Sequence, residues 1–223
     1  MNITRPNAPL IGLGGRLRAG KDEVADHLVA HYGFVKLGMS DTLHAAALVI
    51  DPYIPVNAKE EVDGIGLTGR FVRYSEMIER VGYVEAKTNP EVRRFFQEFG
   101  TKFGRRMIDE NIWVDIVARE ITDILDAGHP VVATGIRFPN EIDMIQDMLG
   151  SSWWVHRPTT ASAVTPEQII AHESERGVNE ADFDKVVRNE GTLDELFATV
   201  DLMMAAIFPD VPRATPSAFA GAA

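Results

Sequence analysis

Near the start of the chain, Gly15, Gly20 and Lys21 fit the frame G-x-x-x-x-G-K, the spacing of a loop that cradles phosphate. The chemistry follows from the residue types. Glycines let successive backbone N–H groups turn toward an anion. A helix starting where the loop ends adds the positive end of its dipole. Lys21 brings an ammonium that reaches the outer phosphates of a bound nucleotide. Asp22 stands where Ser or Thr usually offers a hydroxyl to magnesium. A dinucleotide fingerprint is rejected, because Gly12 and Gly14 would need a third glycine at position 17 and Leu17 is there.

Other polar residues fall where a sheet or a helix would present them. Asp41 and Arg137 each follow a short apolar run, and in open parallel sheets the carboxyl ends of the strands line the ligand crevice. Gln97, Thr101, Arg105 and Arg106 recur near one helical turn if a single helix carries through Gly100 and Gly104. They would then offer amide, hydroxyl and guanidinium groups to one ligand. Arginine suits phosphate because its planar fork donates two hydrogen bonds. Plainer readings stand beside these: Asp41 as a helix cap, Arg137 as a buried structural arginine, and the basic set as a solvated face. His172-Glu173 is not a zinc-protease motif, since Arg176 holds the second histidine position.

The elements that must carry these residues are legible from periodicity. Leu10–Leu13 reads as a buried strand, and Asp22–Tyr32 as a helix closed by Gly33. Phe34–Met39 is a second strand, and the tight β–α–β spacing implies that it pairs in parallel with the first. Ser40-Asp41 offers a cap to the helix Thr42–Ile50. Residues 51–73 read as an irregular excursion. Helices follow over Tyr74–Ala86, with Met77, Ile78, Val81 and Val84 inward, and from Pro90 to Phe103. Ile112–Ala127 is amphipathic through Trp113, Ile116, Val117, Ile121, Ile124 and Leu125. Strands at Pro130–Thr134, Ser152–His156 and Phe183–Arg188 bracket a helix after Asn140-Glu141 and a polar segment over 159–182. Leu193–Ile207 is the last helix. The Pro/Ala-rich stretch from Pro209 reads as a disordered tail.

Composition sets outer bounds. At 223 residues with 45% hydrophobic content, the chain suits one α/β domain with a sizeable core. A formal net charge of −11 argues against a broad nucleic-acid surface. Arg16, Arg18 and Lys21 nonetheless allow a locally basic pocket. Cysteine is absent, which excludes disulfides and thiol chemistry and is compatible with a cytoplasmic home. No apolar run approaches a membrane span, and the N-terminus lacks a secretion-signal layout.

Taken in order, these pieces resemble the bacteriophage-type deoxynucleoside monophosphate kinases, a group within the P-loop nucleoside monophosphate kinases. The resemblance covers most of residues 8–207. It rests on Gly20-Lys21-Asp22, Gln97-x-x-Gly100-Thr101-x-x-x-Arg105 before Trp113, Arg137-Phe-Pro-Asn-Glu141, Arg157-Pro158, His172-Glu-Ser-Glu175 and Asn189-x-Gly191. It implies a single P-loop kinase domain over 1–208, with a central, mostly parallel five-stranded sheet flanked by helices. Residues 51–111 would be a helical acceptor-binding insertion and 157–182 a lid. It implies transfer of the γ-phosphoryl of ATP, with Mg2+, to a deoxynucleoside 5′-monophosphate in the cytoplasm, which is the host's if the chain is phage-encoded. Its partners would be small nucleotides, with neither nucleic acid nor membrane, and dimers occur among similar proteins.

Carried over residue by residue, Gly15, Arg16, Ala19, Gly20, Lys21, Asp22 and Glu23 would hold the ATP phosphates. Arg137 would face those phosphates and, with Lys21 and Asp41, act in catalysis. Gln97, Thr101 and Arg105, with Asp41 and Arg137, would hold the acceptor. Arg157 would belong to the lid, and Asn189 and Gly191 would lie near the ATP base. One departure stands out: the group commonly has Asp two residues before the arginine of Arg-Phe-Pro-Asn-Glu, and here that position is Gly135. This puts the usual metal arrangement in doubt and raises the weight on Asp22 and Asp41, with Asp22 the metal-binding carboxylate. A kinase of another small acceptor, such as dephospho-coenzyme A, and a nucleotide-binding regulatory module without turnover are the alternatives.

Overall fold

The computed structural model describes residues 8–56, 71–158 and 177–213. In chain order these form β1 (Leu10–Gly15), α1 (Lys21–Tyr32), β2 (Val35–Gly38), α2 (Asp41–Ile50), β3 (Tyr53–Pro55), β4 (Phe71–Arg73), α3 (Tyr74–Ala86), α4 (Pro90–Gln97), a π-helix (Glu98–Ile108), α5 (Ile112–Asp126), β5 (Val131–Ile136), α6 (Pro139–Asp147), β6 (Ser151–His156), a 3-10 turn (Glu180–Asp182), β7 (Lys185–Arg188) and α7 (Leu193–Ile207). The chain divides into two compact units, Met1–Met39 with Val117–Ala223, and Ser40–Ile116. The second unit thus extends past both ends of the 51–111 insertion expected from the sequence.

The first unit is built on a five-stranded sheet in the order β2-β5-β1-β6-β7. Every pairing in it is parallel. The expected β1–β2 pair is corrected here: β5 lies between them, with Val131 opposite both Leu10 and Val35. The reason is burial. Val131, Val132 and Ala133 are fully buried, as a central strand of a covered parallel sheet must be. β2 carries the exposed Lys36, and charge of that kind suits an edge.

Val24 and Leu28 of α1 and Leu196, Val200 and Met204 of α7 pack with Ile11, Leu13 and Trp153 into one core. Gly12 and Gly14 turn out to be packing positions. A Cβ at Gly12 would fall 2.8 Å from Ile145 of α6, and one at Gly14 would collide with the Phe183 ring. The ordered chain also runs past the expected start of the tail. Phe208 and Val211 pack against the core, and Arg213 pairs with Asp201 at 3.1 Å. Residues 214–223 lie outside the described residues.

The second unit is mainly helical. Residues 51–73, expected to be irregular, contain the antiparallel pair β3–β4, with Ile54 opposite Val72; residues 57–70 of that stretch lie outside the described residues. Ser40 occupies the N-cap position of α2, but its side chain makes no capping bond. α3 is kinked at Gly82, with φ 78° and ψ 161°. The kink breaks the assumed periodicity, so Val81 and Val84 point outward, Val84 with 80% of its surface exposed. Tyr74, Met77, Ala86, Val92, Ile54 and Val72 form this unit's core, with Phe95 and Phe96 against it.

The helix begun at Pro90 does continue through Gly100 and Gly104, in the wider π form. Trp113 accounts for this. Its indole N–H donates to the Gly100 carbonyl at 2.9 Å, and a Cβ at Gly104 would fall 2.5 Å from the indole nitrogen. Gly104 therefore leaves the room for the tryptophan ring, while a Cβ at Gly100 would instead meet Leu43 at 3.0 Å. Ile116, expected inward, is 41% exposed.

Candidate functional site

The phosphate-loop residues lie between the last residue of β1 and the first turn of α1. The loop is a chain of unusual dihedrals: Gly15 has φ 141°, Arg18 φ 61° and Gly20 φ 98°. The Ala19 N–H closes a turn onto the Arg16 carbonyl at 3.1 Å. Gly20 is the N-cap of α1 and has no side chain to cap it, so the first-turn amides stay available to an anion. The Lys21 ammonium donates to the carbonyls of Gly15 at 2.9 Å and Arg16 at 2.7 Å, folding over the loop.

A positive φ at Gly20 is tied to a partner that sequence reasoning placed elsewhere. Asn189, expected near the ATP base, is 4% exposed. Its amide donates to the Ala19 carbonyl at 2.9 Å, and a Cβ on Gly20 would come within 2.6 Å of that same amide. Asn189 therefore anchors the loop from beneath. Gly191 is exposed beyond it.

An open cavity adjoins the loop, lined by Gly15, Arg16, Lys21, Arg137 and Trp154, with Leu17, Ile136 and Val178. Three cationic side chains thus gather in a chain of net charge −11. Trp154 was not singled out from the sequence. Its place at the fourth of six positions in β6, paired with Gly14, and its ring 5.3 Å from Phe183 become meaningful only once the strand order is known.

Arg137 follows β5 directly and is exposed. The strand end is irregular: Leu13 pairs with Thr134 but Gly14 pairs with Ile136, which leaves Gly135 as the extra residue of a bulge. Its φ of 82° belongs to the region that costs other residues steric strain. The departure from the family's Asp is thus built into the backbone. Beyond the bulge, the Glu141 carboxylate accepts the Arg137 N–H at 2.7 Å and the Phe138 N–H at 3.2 Å.

Asp22, Glu23 and Arg157 are not among the residues that line this cavity. Asp22 lies in the first turn of α1, its side chain 79% exposed and 3.2 Å from Lys36. Burial disfavours the Lys36 charge, but hydrogen bonds to Asp26 and Asp22 outweigh it and raise the lysine's pKa. Glu23 is exposed in the same turn, and Arg157 is exposed after β6. Among the described residues, no three His, Cys, Asp or Glu side chains gather as a metal site. Of the lid expected over 157–182, residues 159–176, including His172 to Arg176, lie outside the described residues.

Asp41, Gln97, Thr101 and Arg105 all belong to the second unit. Asp41 is exposed in the first turn of α2, and Gln97 is exposed at the end of α4. Thr101 and Arg105 are half-buried, and Arg105 donates to the Glu110 carbonyl at 3.2 Å. In the π form the backbone hydrogen bonds run between residues five apart rather than four.

Similarities to known proteins are found in structure and in sequence. Dephospho-CoA kinase from Campylobacter jejuni is similar in structure, with a TM-score of 0.49 and 11% identity over 90% of this chain and 98% of its own. Shikimate kinase from Aquifex aeolicus has a TM-score of 0.43 and 12% identity over 89% of this chain and 98% of its own. In sequence, the deoxynucleotide monophosphate kinase of Enterobacteria phage T4 is 25% identical across 86% of this chain and 96% of that protein. The uncharacterized protein ORF76 of Ictalurid herpesvirus 1 (strain Auburn) is 24% identical across 95% of this chain and 76% of that protein. The family model described as deoxynucleotide monophosphate kinase matches residues 37–200, well over half of the chain. A parallel sheet, a glycine–lysine phosphate loop and this match together place the chain in the deoxynucleotide monophosphate kinase family.

Proposed function

We propose that the chain transfers the γ-phosphoryl group of ATP to a deoxynucleoside 5′-monophosphate, giving ADP and the deoxynucleoside diphosphate. The observation that carries this reading is the cavity in which Lys21, Arg16 and Arg137 converge beside the uncapped start of α1. Phosphoryl transfer asks for alignment and for positive charge around the moving group. The α1 amides and Lys21 bind the donor phosphates. Arg137 places a guanidinium over them as charge builds. Asp41, Gln97, Thr101 and Arg105 are assigned to the acceptor through the family resemblance. Because the acceptor is already an anionic phosphate, no strong general base is needed.

Magnesium suits this chemistry, and the donor set allows it. Mg2+ keeps several waters and takes one or two protein carboxylates besides substrate phosphates. Asp22, next to Lys21 and in an exposed pair with Lys36, is the carboxylate that would hold it; such a pair is weak, worth about 0–1 kcal/mol. When bound, the ion neutralises phosphate charge. The expected cellular setting is the cytoplasm; among the described residues no helix is long and apolar enough to cross a membrane.

The test is ADP formation with ATP across the deoxy- and ribonucleoside monophosphates, and with dephospho-coenzyme A as a competing acceptor. Turnover should require a deoxynucleoside monophosphate. Lys21→Ala should lower kcat by about 100–1,000-fold, as loss of one preorganised donor does. Near-normal turnover in that variant, or preference for dephospho-coenzyme A, would overturn the reading.

A further inference from the structure

Glu141 carries a buried carboxylate that phosphate binding does not by itself explain. It is 4% exposed. A carboxylate so placed must be compensated by donors, and both backbone donors named above come from the peptide run at Arg137. The longer bond, 3.2 Å to Phe138, is an ordinary cap of α6. The shorter bond, 2.7 Å, reaches past the helix to the Arg137 N–H. On the opposite side of that residue, a Cβ on Gly177 would fall 2.5 Å from the Arg137 carbonyl oxygen. The chain at residue 177 therefore passes directly over that carbonyl. Arg137 follows a bulge with positive φ at Gly135, so the strand ladder alone does not fix its backbone.

We propose that Glu141 is a positioning residue for Arg137, with Gly177 as the opposing contact. Together they clamp the Arg137 peptide on its N–H and its carbonyl, so that the guanidinium is held toward the phosphate cavity. The clamp also joins the chain at Gly177 to the arginine at the cavity wall. This rests on the reading of Arg137 as a donor-phosphate residue.

A double-mutant cycle tests it. Glu141→Leu, which removes the acceptor oxygen, Arg137→Ala and the pair are compared for kcat, for KM of the acceptor, and for calorimetric affinity for Mg-AMP-PNP. Glu141→Leu should lower kcat by about 10- to 100-fold, the scale of a small misplacement at a reacting centre, and weaken Mg-AMP-PNP, with acceptor KM nearly unchanged. In the Arg137→Ala background the same substitution should change neither kcat nor affinity by more than about twofold, since the group it positions is gone. Gly177→Ala should repeat the pattern, which guards against a folding defect peculiar to Glu141. A normal Glu141→Leu enzyme beside an impaired Arg137→Ala enzyme overturns the positioning role and leaves the kinase reading standing. Equal losses in both backgrounds overturn it too, as those mark general destabilisation. An unimpaired Arg137→Ala enzyme beside a dead Lys21→Ala enzyme removes Arg137 from the phosphate site and the clamp with it.

Discussion

Asn189 shows what a single side chain does for the phosphate loop. Its amide satisfies the buried Ala19 carbonyl at 2.9 Å, and it packs where any side chain on Gly20 would have to be. Asn189→Ala leaves that carbonyl without its partner. The expected cost is about 1–3 kcal/mol, read as a lower urea midpoint at unchanged slope, with weaker Mg-AMP-PNP binding as the loop loosens. An unchanged midpoint would mean that Ala19 finds another donor. The loop glycines and Lys21 were legible because their spacing is local, and local spacing survives folding. Asn189 was singled out, yet its role was not legible, because the residue it holds is 170 positions away. Glu141 was quoted within the family's Arg-Phe-Pro-Asn-Glu pattern, but its hydrogen bonds to the peptide run at Arg137 are visible only in three dimensions.

At the scale of elements, the π-helix Glu98–Ile108 is the clearest departure from pattern reasoning. Hydrophobic periodicity assumes an α-helical repeat, and it has no means of announcing a wider turn. The glycines at 100 and 104 were visible, but they looked like threats to the helix, and nothing local said that Gly104 makes room for Trp113. Trp113→Phe keeps a ring over Gly104 and removes the N–H that Gly100's buried carbonyl accepts. A loss of about 1–3 kcal/mol is expected in denaturant unfolding, with KM for the acceptor rising more than KM for ATP. A variant as stable as the parent would show that the indole hydrogen bond does not hold the π form. The β1–β2 pairing failed for a related reason. Adjacent strands usually pair, but β5, buried on both faces, outcompeted β2 for the place beside β1.

For the molecule as a whole, acid stability has a traceable source. His44 bonds the Tyr74 hydroxyl at 2.7 Å and lies 3.9 Å from the Tyr83 ring. Burial, then the nearby Lys87 charge, holds its pKa below the ordinary 6.5, with Asp41 opposing. The unfolded chain then binds a proton that the folded chain resists. Stability from this source is full above about pH 6.5 and declines as pH falls below it. Asp51 is held low by the Ser75 N–H, and Glu195 by the Thr192 N–H. Asp201 is pushed up by burial, yet hydrogen bonds from His27 and Tyr32 outweigh this and hold it low. These carboxylates add losses only at lower pH, below the ordinary carboxylate range near 3.8–4.5. The melting temperature should therefore drop by a few degrees between pH 7 and 5.5, and His44→Gln should flatten that step while leaving the later one. A His44→Gln curve parallel to the parent's would assign the first step elsewhere.

The strand order has a consequence for how this chain is made. β2 finds its neighbour only in β5, which begins at Val131, and β1 finds its neighbours only in β5 and β6. A chain growing from its N-terminus therefore carries two apolar strands that have nothing to pair with until well over half its length has been synthesised. The second unit, Ser40–Ile116, is one continuous stretch between them; its contacts are closer in sequence, so its loop-closure cost is met earlier. The phosphate loop, first in the sequence, is among the last parts to acquire its final surroundings, since Asn189 reaches it only when β7 is in place.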